Sequence, residues 1–286
     1  MLADTAYGKS GIRLVQVTRH GDRHVLRDLS VAVRFEGDYD ESYVAGDNSD
    51  VLPTDTMKNT VYAHAARAPL DEPESFGLGL AEHFLDRNPK LQRVTIDVSE
   101  HLWARIDVDG QEHGHAFVRE RSDARTAQVR VDRQEAQVRA GIAGLVILKS
   151  AQSAFSNYVH DEFTTLPETR DRILATSMTA TWRYDAGAPY GAAWQAVRRT
   201  LLRSFAGHDS ESVQHTLHAM GRAVLDEVPE VADIHIVMPN RHHLPIDLSR
   251  LGLENRNEVF VATTEPYGLI EATVHRKGTV AVSANG

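Results

Sequence analysis

Arg19, His20, Gly21 and Arg23 stand together in the stretch "VTRHGDRHV". An imidazole set between guanidiniums can take up a phosphoryl group, because nitrogen attacks phosphorus while the cations neutralise its oxygens. That chemistry needs a walled anion pocket, built where a buried parallel strand leads into a helix. Here "IRLVQVTR" on one side is strand-like, and Leu29, Val31, Val33 and Phe35 alternate with Ser30, Ala32 and Arg34 on the other. Two strands of period two joined by a Gly-Asp pair make a hairpin, and its tip points into solvent. Val25 also stands where the phosphohistidine signature carries proline, and the later His160–Asp161 pair has ordinary amphipathic neighbours. The string reads as a polar turn.

Other chemically suggestive groups have plainer readings. His113 and His115 share one strand face, as two zinc ligands would, but spacing supplies no third ligand. "GLGLAE" is glycine-rich but lies inside a helical pattern with no strand leading in, unlike a dinucleotide loop. "RTAQVRVDRQEAQVR" is a mixed-charge run that reads as a solvated strand and its connection. The chain has no cysteine, which excludes disulfides, thiolate metal sites and cysteine nucleophiles.

The elements that must position any site repeat in outline. The hairpin is followed by helical patterns in "PTDTMKNTVYAHAA" and "EPESFGLGLAEHFLDRNP", the latter with Phe76, Leu80 and Phe84 on one face. Strands "QRVTIDVSE" and "LWARIDVDGQEHGHAFVRE" come next, the second folded at Asp109-Gly110. "AGLVILKS" and "DRILATSMTATWRY" are strand-like again. Helices with faces Trp194, Val197, Leu201, Phe205 and Val213, Leu217, Met220, Val224 follow them. Strands "ADIHIVMPN", "NEVFVATT" and "GLIEATVHRKGTVAV" close the chain. Each half is two strands, two helices and two strands, which predicts an α+β protein with an antiparallel sheet and helices on one face. The halves divide near "VRVDRQEAQVRAG", giving domains 1–135 and 136–286.

Composition sets the outer bounds. With 286 residues, 42% hydrophobic and 25% charged, the chain can bury a sizeable core. A net charge of -9 argues against a general nucleic-acid binder and requires locally placed cations for any anionic ligand. No apolar run approaches the roughly 20 residues of a membrane span. "MLADTAYGKSG" lacks an apolar signal core, and "AVSANG" is not a peroxisomal address. A soluble, cytoplasmic protein is the expectation.

"DNSDVLPTDTMKNTVY" carries a Thr-Asp at a helix start followed by Lys58-Asn59-Thr60, which has no obvious packing motive. It resembles the signature of the urate oxidase (uricase) family. Further segments agree in order along most of the chain: "AYGKSGIRL", "LVILKSAQSAFSNYVHDEFTTLPETRDRILAT", "SVQHTLHAM", "MPNRHHLPIDLS" and "NEVFVATTEPYGLIEATV". Arg241 stands where lysine is common, and the spacing around "DVDGQEHG" departs from the pattern. The resemblance implies tandem tunnelling-fold (T-fold) domains assembling into a barrel-like homotetramer with active sites between subunits. It also implies oxidation of urate by dioxygen to 5-hydroxyisourate and hydrogen peroxide, with dioxygen as co-substrate and no metal or organic cofactor.

The resemblance also assigns roles. Arg172 and Gln214 match the in-plane clamp of the purine, with the Val213 backbone as a further contact and Phe155 as the stacking aromatic. Guanidinium offers paired donors in one plane, and an amide both donates and accepts. From the residues alone, Arg172 reads as a surface ion pair with Asp171 or Glu168 and Gln214 as an ordinary exposed glutamine; the ordered match reverses the Arg172 reading. Lys9, Thr54 and His242 match a proton relay, Asn240 the holder of water or dioxygen above the ring, and Asp55 a backbone contact to substrate. In the family Thr54 and Asp55 reach the site from the adjacent subunit. Two alternatives keep the fold: a zinc-dependent pterin or purine hydrolase with His113, His115 and His235 as ligands, and a non-catalytic purine-binding protein.

Overall fold

The computed structural model describes residue 2 and residues 5–119 and 122–276. They form two compact units, residues 1–143 with 186–192 and residues 144–185 with 193–286. The first unit opens with β1 (Ala6–His20) and β2 (Arg23–Gly37), an antiparallel hairpin turning at Gly21, whose φ is 60°. Glycine reaches that left-handed conformation without a Cβ clash. His20 is exposed at this tip, so the R-H-G-D-R string is a solvent-facing turn and has no pocket for a phosphohistidine.

The short α1 (Asp40–Val44) precedes α2 (Thr54–Arg67) and α3 (Pro73–Arg87). Met57, Val61 and Ala65 recur every fourth residue and bury one face of α2, which packs on β1. Phe76, Leu80 and Phe84 do the same for α3, with Gly77, Ala81 and Leu85 beside them. The "GLGL" string is thus helix interior. The glycine is required there: a Cβ on Gly77 would lie 2.8 Å from Val129 Cγ2. β3 (Leu91–His101) pairs with β2. β4 (Ala104–Val108) and β5 (Gln111–Val118) form a separate hairpin, where Asp109 and Gly110 both take positive φ, 56° and 83°. β6 (Ala124–Asp132) then pairs with β3 and with the start of β7 (Ala136–Lys149).

β6 corrects one expectation. The mixed-charge run is a core strand, not a solvated one: Arg125, Ala127, Val129 and Val131 are buried. Arg125 donates to the fully buried Glu74 at 2.6 Å. Charge alone misled because a buried cation is tolerated once an opposite charge faces it, and that partner lies 51 residues away.

The chain enters the second unit within β7. β8 (Leu174–Tyr184) follows, then α4 (Tyr190–Gly207), α5 (Val213–Glu227) and β9 (Val231–Asn240). β10 (His243–Pro245) and β11 (Phe260–Ala262) pair as a small hairpin. β12 (Gly268–His275) lies against β9, whose other neighbour is β8, both antiparallel. Residues 277–282 of the expected last strand lie outside the described residues. His160 and Asp161 belong to an exposed irregular loop and not to an amphipathic element.

The two units repeat one packing device. α3 lies on β3 and β6, with Gly77 against Ile96 and Val129. α5 lies on β9 and β12, with Gly221 against Ile234 and Val274. The duplication expected from element order therefore extends to which helix position must lack a side chain.

Candidate active site

The first unit holds Lys9, Thr54 and Asp55. β1 carries one extra residue between Lys9, opposite Val33, and Ile12, opposite Val31. Gly11 takes φ +70° at this bulge. Side chains opposite one another share a face of the sheet. Val33 and Val31 are both core residues, so the bulge puts Lys9 on the same face as Ile12 and Leu14. Without it, strict alternation would turn Lys9 to the other face. That is also the face on which α2 packs, and Lys9 is half-buried there.

Pro53 stands at the N-cap position before Thr54, the first residue of α2, and supplies no side-chain cap to this helix. The amides of its first turn therefore have no acceptor within the helix, and they form its positive end. The Asp55 carboxylate is occupied along its own helix: Lys58 Nζ reaches Oδ1 at 2.5 Å and Asn59 Nδ2 reaches Oδ2 at 3.0 Å. Those two bonds supply the reason, invisible in the sequence, for the Lys-Asn pair after Thr-Asp. They hold Asp55 below the usual carboxylate range, chiefly through the Lys58 hydrogen bond, with Lys9 a smaller contributor. Lys9 and Asp55 are thus brought within electrostatic reach of each other.

The second unit holds the other candidates. Phe155 and Arg172 sit on two arms of one loop, joined by Phe155 N–H to Thr169 O at 2.8 Å and the reciprocal bond at 3.0 Å. The Arg172 guanidinium lies 5.1 Å from the Phe155 ring centre. Its Nε is buried with no hydrogen-bond partner among the described residues. Neither Asp171 nor Glu168 neutralises it: Glu168 instead accepts from Asn157 N–H at 3.0 Å and lies 3.4 Å from His160 Nε2. Lost hydration pulls the Arg172 pKa downward, yet guanidinium stays charged at any working pH. Gln152 and Asn157, on either side of Phe155, hold φ of 57° and 58°. Non-glycine residues in that region cost about 1–3 kcal/mol and gather at functional sites.

Val213 and Gln214 are the first two residues of α5. Ser212 caps this helix by accepting the His215 N–H at 3.1 Å, and Thr216 N–H bonds Ser212 O at 3.1 Å. The Val213 and Gln214 amides are left as outward-facing donors at the helix's positive end. Val213 is buried, whereas Gln214 is exposed. Asn240 ends β9, nearly buried, opposite Thr176 on one side and Gly268 on the other. The Thr176 hydroxyl is fully enclosed without a partner among the described residues. His242 follows at the corner into β10, its carbonyl accepting Thr263 N–H at 2.9 Å, while Arg241 N–H reaches Ala175 O at 2.8 Å.

The candidates therefore fall into two groups: Lys9, Thr54 and Asp55 in one unit; Phe155, Arg172, Val213, Gln214, Asn240 and His242 in the other. Sequence reading missed the buried hydroxyls of Ser153 and Thr176, which carry no motif signal. Among the described residues no group of three or more His, Cys, Asp or Glu is placed to hold a metal ion. His235, one proposed zinc ligand, has Nδ1 3.0 Å from the Thr273 hydroxyl. No helix among the described residues is long and apolar enough to cross a membrane.

The uricase family profile matches residues 5–130 and again 138–271. The uricase of Arthrobacter globiformis is 43% identical over 280 residues, covering 98% of this chain and 91% of the relative. The uricase of Danio rerio is 38% identical, covering 96% and 94%. The crystal structure of the Arthrobacter globiformis uricase superposes with a TM-score of 0.94 at 42% identity, over 99% of this chain and 98% of that one. The expected α+β tunnelling fold accordingly holds, and the chain belongs to the uricase family.

Proposed function

We propose that this chain converts urate, dioxygen and water to 5-hydroxyisourate and hydrogen peroxide, with no metal or organic cofactor. One observation carries the reading. A guanidinium with no carboxylate partner among the described residues lies over an aromatic ring, in the unit that also presents the Val213 and Gln214 amides at the start of α5. That set suits a flat anion: Phe155 stacks on its face, Arg172 donates to one polar edge, and Gln214 with the Val213 amide reads the other. A charge-assisted contact of this kind contributes about 1.5–3 kcal/mol.

Triplet dioxygen reacts slowly with closed-shell organic molecules, so the substrate must become electron-rich. Removing a further proton from bound urate does this. Lys9 acts as the base, Thr54 passes the proton because a hydroxyl both accepts and donates, and His242 takes it through water. Asn240 holds water or dioxygen above the ring. The Thr54 and Asp55 amides add donors from the α2 end. Lys9, Thr54 and Asp55 come from one protomer and the clamp from its neighbour, in a homotetramer. Support for grouping Lys9 with Thr54 and Asp55 is that the Tyr7 hydroxyl ties β1 to the chain ahead of α2 and that Lys9 lies within electrostatic reach of Asp55.

The test is direct. Purified, chelator-treated protein mixed with urate in air loses the urate absorbance and forms peroxide in equal amount. Persistent absorbance without peroxide would overturn the reading.

A further inference from the structure

We propose that Thr216 and Ser210 are positioning residues, a buried hydroxyl latch that sets the distance between the Arg172–Phe155 loop and the Gln214 end of α5. The proposal rests on the purine-clamp reading above and names residues outside the clamp itself.

The latch is continuous in hydrogen bonds. Arg172 N–H donates to Ser153 O at 2.9 Å, and Ser153 forms an isolated parallel bridge with Ser210. Ala154 N–H reaches Ser210 O at 2.6 Å, and Ser210 N–H reaches Gln152 O at 3.0 Å. The loop is thereby sewn to Ser210 by its backbone. The Ser210 hydroxyl then donates to Ser212 O at 3.0 Å and accepts from Thr216 Oγ1 at 2.7 Å. A helical threonine ordinarily bonds back to the carbonyl four residues earlier, here Ser212 O. That carbonyl is already taken by Thr216 N–H and the Ser210 hydroxyl, so the Thr216 hydroxyl is turned outward to Ser210. Thr216 is 0% exposed and Ser210 1%, so water cannot substitute for a lost partner. Both clamp edges thus hang on one buried serine, and a small shift there moves Arg172 and Gln214 relative to each other.

Thr216→Val keeps the shape and removes the hydroxyl. It raises the urate KM and the dissociation constant of a non-oxidisable purine analogue about tenfold, with kcat within about twofold. Thr216→Ser restores both, and Ser210→Ala reproduces the defect if Thr216→Val does not fold. Wild-type analogue affinity in Thr216→Val, or an equal defect in Thr216→Ser, overturns the latch. If the wild-type protein neither binds nor oxidises urate, the functional reading falls alone. The latch is then judged by hydrogen exchange: Thr216→Val must speed exchange at the Ala154 and Arg172 amides, and unchanged rates overturn it.

Discussion

The Tyr7 phenol accepts the Leu52 N–H at 3.1 Å, tying the strand that carries Lys9 to the chain just ahead of Thr54. Tyr7 lies two residues before Lys9 and packs edge-on against Phe35, 5.7 Å between ring centres. The chain just ahead of α2 is therefore anchored to β1 by this hydrogen bond, while the aromatic contact fixes the Tyr7 ring against β2. Tyr7→Phe keeps the ring and deletes the acceptor. We expect a loss of about 1 kcal/mol in stability and a larger fall in kcat than in analogue affinity. Thermal melting and steady-state kinetics check this.

Lys9→Met removes the proposed base without touching the clamp. Turnover falls by a factor of about 100 or more while the purine analogue still binds. Analogue titration beside kcat measures the split, and unchanged turnover excludes Lys9 from the relay.

Division of the site between protomers predicts complementation. Lys9→Met and Arg172→Ala are each inactive alone. Random mixing of the two chains restores roughly a quarter of the sites, those that receive Lys9 from one chain and Arg172 from the other. Co-expression followed by an activity assay measures it, and no recovery places the site within one chain.

Arg172→Lys retains the positive charge but loses the planar pair of donors. The urate KM rises about 10- to 100-fold, with a smaller effect on kcat. An intact KM would show that Arg172 does not grip the substrate.

His64 and His83 face each other from α2 and α3, 6.3 Å between ring centres, and burial is the largest cause pushing both pKa values below 6.5. The unfolded chain therefore binds protons more readily than the folded one. Their stabilising contribution is complete above about pH 6.5 and is lost as the pH falls through the lowered folded values. The melting temperature drops as the pH falls below about 6.5, and replacing both histidines by Gln flattens that slope.

How much of this was legible beforehand depended on the range of each interaction. The hairpin at Gly21, the Asp109-Gly110 turn and the buried faces of α3, α4 and α5 follow from period and turn chemistry, which neighbouring residues settle locally. The site residues were legible only as an ordered resemblance. No spacing rule reveals that Lys9 shares a face with Ile12, because a one-residue bulge at Ser10–Gly11 reverses the alternation. Likewise Arg125 looked solvated until Glu74 faced it, and Arg172 looked paired until Glu168 turned to Asn157 and His160.

The sequence by itself determined the long helices, the opening hairpin, the α+β class and the family, since these rest on local patterns and an ordered set of residues. Tertiary structure alone decided which charges are neutralised, which helix amides stay uncapped and which strand face carries Lys9. The physical reason is that burial, partnering and register depend on groups far apart in the chain, whose meeting no local pattern records.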